Sequence, residues 1–299
     1  MTRKNSLVSV VIPTFNLVGD LIQTVKSIKA QTYFPIEIIV VDNGSVDGTS
    51  RIISQKYPEV RLITLKKNSG VTGGRNRGLR EARGEYLLFF DHDMVADKKM
   101  ISELIKVANL DKKIGIVTGK IYYWGDKRKI WSAGTSVDLL TGRVFFRGGF
   151  EEVYNRIEEI QVAPAVFLVK RTVIEKIGGF DDIFFANWED TDFCFRARKA
   201  GFKVYYTPKA IAFHKIPPGK KESTKRLLSR TFYIARNRII FMRKHSGYFW
   251  LFLLLLPMWV FYYVGLSFYF REIKAGVNYL KGTIAGLIIA FLSFQKRIN

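Results

Sequence analysis

The chain has 299 residues, 48% of them hydrophobic and 14% aromatic, which excludes a disordered tail and allows one full domain plus an accessory segment. Lys and Arg outnumber Asp and Glu by 48 to 26, and the net charge of +22 predicts attraction to nucleic acid, an anionic membrane surface or a phosphate-rich substrate. The only cysteine is Cys194, which excludes an intramolecular disulfide and fits a reducing compartment. The residues before Leu7 have no signal-peptide pattern, so we expect the first domain to remain on the side of synthesis.

Short apolar runs alternate with helical periodicity in the first ninety residues. This alternation predicts an α/β fold with a Rossmann-like, mainly parallel sheet flanked by helices. Ligands of such sheets bind beyond the carboxyl ends of the strands. The predicted strands are Val8–Ile12, Ile36–Val41, Val60–Leu65 and Tyr86–Phe90, and the predicted helices are Leu17–Ala30, Asp47–Lys56 and Gly73–Ala82.

The pattern between residues 96 and 216 is less regular and predicts a mixed sheet. The predicted elements there are strands at Gly115–Trp124, Arg143–Phe146, Val162–Val169 and Lys203–Tyr206, and a short helix at Thr191–Ala200.

Four polar loops follow the first four predicted strands: Pro13–Asn16, Asp42–Thr49, Asn68–Asn76 and Asp91–Asp93. Each alone is more simply a turn or a helix start, with Asp47 a candidate N-cap. Four in succession at strand ends favour a ligand site, and the amides at Gly73-Gly74 suit a phosphate. The two acids of Asp91-His92-Asp93 are suitable ligands for Mg²⁺ or Mn²⁺ holding a diphosphate.

Two further features could contribute to chemistry. Glu189-Asp190 opens a predicted helix, where adjacent acids either complement the helix dipole or act as a general base. His214, one of three histidines, is either a core residue or a metal ligand.

The segments Val10–Asn16, Val41–Thr49, Gly74–Gly78, Asp91–Asp93 and Trp188–Asp190 together resemble the successive motifs of glycosyltransferase family 2, over about Leu7 to His214. The resemblance implies the GT-A fold and sugar transfer with inversion of the anomeric centre. Gly-Gly-Phe-Asp before the Glu-Asp pair and the downstream stretch 233–238 are similar to rhamnosyltransferase-like members.

The resemblance also implies roles for individual residues. Asp190 matches the catalytic base and Glu189 its supporting partner, whereas Asp91, Asp93 and His214 match the metal site. Asp42 matches the position that hydrogen-bonds the nucleobase, and Arg75 one that contacts the base or the diphosphate. The full set of predicted nucleotide-sugar contacts is Pro13, Thr14, Asn16, Asp42, Gly74, Arg75, Asp91 and His92.

The C-terminal third predicts a membrane-associated helical segment. Residues 220–245 contain nine Lys or Arg and one acid. Helical spacing within them places five apolar residues on one stripe: Leu228, Phe232, Ala235, Ile239 and Met242. Arg230, Arg238 and Lys244 lie largely off that stripe. The uncharged stretch Tyr248–Phe270 is long enough to cross the roughly 30 Å hydrocarbon core of a bilayer. Gly282–Phe294 is shorter and predicts either an interfacial helix or a second span, over 276–294.

These observations predict a catalytic domain at 1–216, with a nucleotide-sugar half at 1–95 and an acceptor half at 96–216. A basic amphipathic linker helix follows at 217–247 and a membrane anchor at 248–299, with a transmembrane helix at 248–270. The basic flank predicts an anionic membrane surface as a partner and a cytoplasmic catalytic domain.

The predicted reaction moves a sugar from a UDP-, dTDP- or GDP-sugar to a hydroxyl of a glycan or lipid-linked glycan, with a divalent cation. A polyprenyl-phosphate sugar synthase is the first alternative, since a phosphate acceptor needs no base. A nucleotidyltransferase would need neither the Glu-Asp pair nor the apolar segment. A nucleic-acid-binding protein is less favoured, because the densest basic run adjoins an apolar span and we find no nucleic-acid-binding motif.

Overall fold

The computed structural model describes residues 5–150, 153–216 and 220–295. The strands are β1 (Val8–Thr14), β2 (Ile36–Asp42), β3 (Arg61–Thr64), β4 (Tyr86–Phe90), β5 (Met94–Ala96), β6 (Ile114–Tyr123), β7 (Asp126–Ser132), β8 (Thr135–Val137), β9 (Val144–Phe146), β10 (Gly149–Phe150), β11 (Glu158–Ile160), β12 (Val166–Lys170) and β13 (Lys203–His214). The helices are α1 (Val18–Lys29), α2 (Thr49–Lys56), α3 (Gly70–Glu81), α4 (Met100–Ala108), α5 (Arg171–Ile177), α6 (Glu189–Lys199), α7 (Lys220–Leu228), α8 (Thr231–His245), α9 (Phe249–Tyr269) and α10 (Ile273–Gln295).

The described residues form two compact units. The first contains those within 1–136, 146–185 and 189–217, and the second those within 137–145, 186–188 and 218–299. Two short segments that lie far from the C-terminus in sequence therefore belong to the second unit.

The first unit is built on a mixed sheet in which β1 pairs in parallel with β2 and β4, and β2 pairs in parallel with β3. Thr14 lies opposite Asp42, and Asp42 opposite Thr64, so these strands end at the same edge. Beyond β4 the sheet continues with β12, β6, β7 and β10, and β13 pairs in parallel with β6. The predicted α/β fold is confirmed.

Side chains on both faces of β1 are buried, which explains its unbroken apolar sequence. Val8, Val10, Val11 and Ile12 are all fully buried. Helix α3 packs unusually close to this strand, because a Cβ added at Gly78 would lie 2.3 Å from Val11 Cγ1. Glycine at this position therefore brings the helix backbone against the sheet.

Two predicted strands differ from the structure by more than two residues at one end. The strand predicted at Val162–Val169 begins only at Val166, because Pro164 lacks an amide donor and Ala165 is left-handed, with φ of 58°. The strand predicted at Lys203–Tyr206 continues to His214 as β13, with a register shift between Thr207 and Ile211.

The second unit contains α8, α9 and α10. Tyr263 stacks on Tyr279 at 4.4 Å between ring centroids, and Phe249 lies 6.5 Å from Phe291, so α9 and α10 run antiparallel. A Cβ at Gly282 would lie 2.2 Å from the carbonyl oxygen of Phe232, which shows backbone-to-backbone contact between α10 and α8.

The predicted linker helix is two helices in the structure, α7 and α8. The Ser229 hydroxyl donates to the Arg226 carbonyl and the Thr231 hydroxyl to the Leu228 carbonyl, so side chains occupy acceptors of the last turn. Residues 217–219 lie outside the described residues.

Among the residues that the structure describes, two helices are long and apolar enough to cross a membrane, Phe249–Tyr269 and Ile273–Leu292. The first agrees with the predicted span and contains Pro257 without ending there. The second starts earlier than the predicted 276–294, because α10 begins at Ile273 and includes Lys274.

Candidate active site

The loops after β1 and β2 are joined by hydrogen bonds at the carboxyl edge of the sheet. The Asn16 amide nitrogen donates to Ser45 Oγ at 2.7 Å, and the Val46 amide donates to Asn16 Oδ1 at 3.0 Å. Thr14 Oγ1 donates to the Asn16 carbonyl at 3.2 Å, and Asn16 is left-handed with φ of 58°. The structure thus brings Pro13, Thr14 and Asn16 beside the loop that follows Asp42.

Asp42 is buried at the end of β2 and already has two internal donors. Its Oδ1 accepts from the Ser45 amide at 2.8 Å, and its Oδ2 accepts from the Ser50 hydroxyl. These bonds fix the carboxylate at the strand end, and its predicted contact with a nucleobase would use the remaining lone pairs.

Gly74 lies on the inner face of α3 and lets the helix approach both strand ends. A Cβ added there would be 2.8 Å from Pro13 Cβ and 2.8 Å from Asn43 Nδ2. Packing therefore accounts for glycine at this position, and its contact with a nucleotide sugar remains a prediction.

Arg75 is the centre of the charged cluster. It is 1% exposed, its two terminal nitrogens donate to Asp91 Oδ1 at 2.8 Å and to Glu189 Oε1 at 3.2 Å, and Phe167 and Phe180 lie 5.5 and 5.4 Å from the guanidinium. Burial alone would lower the pKa of Arg75, but Asp91, Glu189 and Asp190 together raise it. A cation is therefore held permanently between two of the acidic motifs.

The Asp91–Asp93 loop follows β4. His92 Nδ1 lies 3.2 Å from the Pro13 carbonyl, which links this loop to the end of β1. Strand β5 pairs with β13 so that Met94 lies opposite His214, and Asp93 Oδ2 is 3.1 Å from His214 Nε2. A long-range strand pairing therefore brings together two of the three predicted metal ligands.

The donor set at Asp93 and His214 fits a divalent cation, because a carboxylate oxygen and an imidazole nitrogen are ligand types that such an ion accepts. In this structure the two groups contact each other, with 3.1 Å between Asp93 Oδ2 and His214 Nε2. Asp91 instead contacts Arg75, and no group of three His, Cys, Asp or Glu side chains within the described ranges surrounds a common point. A third ligand from Asp91 remains a prediction.

Glu189 and Asp190 begin α6 and differ in exposure. Glu189 is buried, and burial together with the neighbouring Asp190 raises its pKa to about 7 against the opposing effect of Arg75. Asp190 is less deeply buried and accepts from the Thr191 amide at 2.6 Å, and its partial burial raises its pKa also. Of the pair, Asp190 has the greater exposure to solvent.

Acidic side chains cluster in this part of the site. Asp91 and Glu189 both contact Arg75, and Asp93 contacts His214. Carboxylate oxygens grouped in this way are the second feature that suits a bound cation.

Sequence reasoning gave no role to Thr72 or Asn76, which α3 directs at the segment before the Glu-Asp pair. The Thr72 hydroxyl donates to the Phe184 carbonyl. Asn76 bonds both backbone groups of Phe180, each at 2.8 Å. The sequence feature that could have identified them is their spacing of four residues, which places both on one face of a helix that also carries Arg75.

The family profile described as Glycosyl transferase family 2 matches residues 9–178, more than half of the chain. The chain belongs to glycosyltransferase family 2. This glycosyltransferase is similar to the probable glycosyltransferase YdaM of Bacillus subtilis, with 27% identity over 258 residues that cover 78% of this chain and 60% of that protein. The chain thus spans about three fifths of the length of this relative.

Two further similarities concern a relative and a fold. The N-acetylglucosaminyl-diphospho-decaprenol L-rhamnosyltransferase of Mycobacterium tuberculosis is 28% identical over 224 residues, covering 63% of this chain and 69% of that protein. The mannosyltransferase PcManGT of Pyrobaculum calidifontis, solved in complex with GDP-Man and Mn²⁺, superposes with a TM-score of 0.59 at 16% identity, covering 98% of this chain and 80% of that one. The likeness to PcManGT confirms the predicted GT-A fold.

Proposed function

We propose that this family 2 glycosyltransferase moves a sugar from a nucleotide-diphosphate sugar to a hydroxyl of a glycan or lipid-linked glycan, with inversion and with a divalent cation. The observation that carries the proposal is the cluster around Arg75, which joins the Asp91 loop at the donor edge to the Glu189-Asp190 pair. The name of one relative supports the proposal, because that protein is an N-acetylglucosaminyl-diphospho-decaprenol L-rhamnosyltransferase.

The donor is expected at the edge formed by the ends of β1, β2 and β4. Pro13, Thr14, Asn16 and Asp42 would receive the nucleoside, and the interlocked loops around Asn16 and Ser45 preorganise that surface. UDP-, dTDP- and GDP-sugars are the candidate donors, and the GDP-Man bound by PcManGT supports the class.

Asp93 and His214 would hold a Mg²⁺ or Mn²⁺ ion, with Asp91 as the third candidate ligand. When bound, the cation neutralises charge on the departing diphosphate. Arg75 fixes the carboxylates of Asp91 and Glu189, so its charge keeps the acidic cluster compact.

Asp190 is proposed as the general base. The acceptor hydroxyl gives its proton to Asp190 while its oxygen forms a bond to the anomeric carbon, and the bond from that carbon to the diphosphate oxygen breaks. One displacement of this kind inverts the anomeric centre. Glu189 holds Arg75 beside the base and stays buried.

Membrane attachment is proposed through α9 and α10, whose exposed side chains are largely apolar. The nine basic residues between 220 and 245 precede α9, and the positive-inside rule places such a flank in the cytoplasm. Nucleotide-sugar transfer would then occur at the cytoplasmic face, beside anionic lipid headgroups.

Thermal unfolding of the purified protein with a panel of UDP-, dTDP- and GDP-sugars tests the donor site directly. We expect one nucleotide class to raise the Tm in the presence of Mn²⁺, because a ligand that binds only the folded state stabilises it. Asp93→Ala or EDTA should abolish this Mn²⁺-dependent rise and the transfer of sugar. Equal stabilisation of the parent and Asp93→Ala proteins, with full activity in EDTA, would remove the cation from the mechanism.

A further inference from the structure

The residues directly before the Glu-Asp pair have an unfavourable backbone conformation. Asn187 and Trp188 are consecutive and left-handed, with φ of 65° and 73°. A non-glycine residue is strained in this region, and a bulky residue such as tryptophan is rarely found there. Some other part of the molecule must therefore hold this segment in place.

Asn237 of α8 supplies that restraint. Its Nδ2 donates to the carbonyl oxygens of Ala186 and Asn187, at 2.8 Å each, and the residue is fully buried. One turn further along the same helix, Phe241 packs on the Trp188 ring with 4.9 Å between centroids. Residues 186–188 are thus bound to one face of α8, and all of these residues belong to the same compact unit.

The next residue of α8 fixes the helix to its apolar neighbours. Arg238 is buried, its guanidinium lies 4.0 Å from the Trp259 ring centroid, and it donates to the hydroxyls of Tyr279 at 3.1 Å and Tyr263 at 3.4 Å. Neighbouring residues of α8 therefore hold the 186–188 segment on one side and α9 with α10 on the other.

We propose that Asn237 is a positioning residue for the catalytic pair. By holding the two carbonyls it keeps Asn187 and Trp188 left-handed, and the chain passes from Trp188 directly into Glu189 and Asp190 at the start of α6. Helix α8 thereby fixes the backbone segment that leads directly into the catalytic pair. This inference rests on the proposed role of Asp190 as base.

A purely structural role for Asn237 makes a different prediction. If the two hydrogen bonds only stabilised the second unit, their loss would lower the Tm without changing turnover by the folded protein. A positioning role predicts lower kcat at unchanged donor KM, because the donor-binding loops after β1 and β2 are far from residue 187 in sequence and are held by their own bonds.

The test uses the full chain in lipid nanodiscs, with the nucleotide sugar that gives the largest Mn²⁺-dependent stabilisation as donor. Asn237→Ala should lower kcat by roughly ten- to a hundredfold with donor KM changed less than about twofold. Ser246→Ala is the matched control, because it also removes a bond from a side chain of this region to a backbone carbonyl, that of Leu139, and should keep parental kcat. Asn237→Leu, which keeps a similar volume but has no donor, serves if the alanine variant does not fold.

Glycine at residue 187 provides a rescue that a structural role would not predict. Glycine adopts positive φ without strain, so adding Asn187→Gly to Asn237→Ala should recover part of the lost kcat. Hydrogen exchange of the amides at 187–191 should be at least about tenfold faster in Asn237→Ala and unchanged in Ser246→Ala.

Parental kcat in folded Asn237→Ala, an equal loss in Ser246→Ala, or the absence of rescue would each overturn the proposal. Unchanged exchange at 187–191 would also overturn it, whatever the enzyme transfers. A parent protein that consumes no nucleotide sugar would instead contradict the proposed function, and the exchange comparison would still decide whether Asn237 holds the segment.

Discussion

Glu189 and Asp190 are adjacent in the chain, but their carboxylates have different surroundings. Glu189 contacts Arg75 inside the protein, whereas Asp190 is partly exposed and bonded to Thr191. The sequence pattern identified the pair, and the family resemblance assigned the base to Asp190. The difference in exposure supports that assignment through a property that the sequence does not contain.

The raised pKa of Glu189 predicts a pH-dependent stability. Its value is 4.5 in an ordinary environment and about 7 in the folded protein, so the folded state binds the proton more tightly. Its contribution to stability is complete below pH 4.5 and is lost as the pH rises to about 7. Between pH 4.5 and 8 the free energy of unfolding should fall by on the order of 1–3 kcal/mol for this reason. Glu189→Gln should remove this loss.

The control for this measurement is Glu175→Gln, which changes an exposed carboxylate on α5. It should follow the parental pH profile. If the parent and Glu189→Gln proteins had the same dependence of unfolding free energy on pH, the raised pKa of the buried Glu189 would be contradicted.

Arg75 shows what residue-level reasoning could and could not predict. Its motif indicated a place in the donor half, and a contact with the base or the diphosphate was expected. In the structure both terminal nitrogens donate to carboxylates, one of them on a helix 114 residues later in the chain. No local pattern encodes such a pairing, because it depends on where the tertiary fold places the start of α6.

At the scale of elements, the first four strands and three helices were predictable because each strand lies in a short, largely apolar run bounded by polar residues. The predicted bounds were wrong where a single residue interrupted the strand within an otherwise apolar run, as Pro164 does before β12. The pairing of Met94 with His214 was also beyond the sequence, since β5 has only three residues.

The contact between α8 and α10 gives a prediction about stability. Gly282→Ala places a Cβ 2.2 Å from the Phe232 carbonyl oxygen, so the helices must separate, at a cost of about 1–3 kcal/mol. Gly265→Ala is the matched control in α9, because nothing lies within 4 Å of its added Cβ. Thermal unfolding in lipid should show a lower Tm for the first variant and an unchanged or slightly higher one for the second. A tolerated Gly282→Ala would contradict the close helix packing.

At the scale of the whole molecule, composition and charge predicted a basic, membrane-associated protein. The described part of the chain contains two helices long and apolar enough to cross a membrane. The sequence placed the boundary near residue 217. It did not indicate that segments 137–145 and 186–188 belong with the C-terminal helices, because such grouping depends on long-range contacts such as those of Asn237.

Orientation in the membrane can be tested by thiol labelling in intact cells. Burial raises the pKa of Cys194 to about 12, so the native thiol should react little with a membrane-impermeant maleimide. Leu110→Cys adds an exposed thiol to the first unit and should be labelled only after lysis. The protein should also stay in the membrane pellet after carbonate washing. Labelling in intact cells would place the catalytic unit outside, and loss on washing would contradict the anchor.

Sugar transfer to a hydroxyl with Asp190 as base is tested most directly by single-turnover kinetics. The measured quantity is the rate of transfer from a radiolabelled donor by the parent and Asp190→Asn proteins. The substitution keeps the side-chain shape but cannot accept the proton, so the rate should fall by roughly 10²- to 10⁴-fold while donor binding persists. Asp182→Asn, at an exposed carboxylate bonded to Asn76, should keep the parental rate. Transfer by Asp190→Asn at the parental rate would contradict this mechanism and favour an acceptor that is already ionised, such as a polyprenyl phosphate.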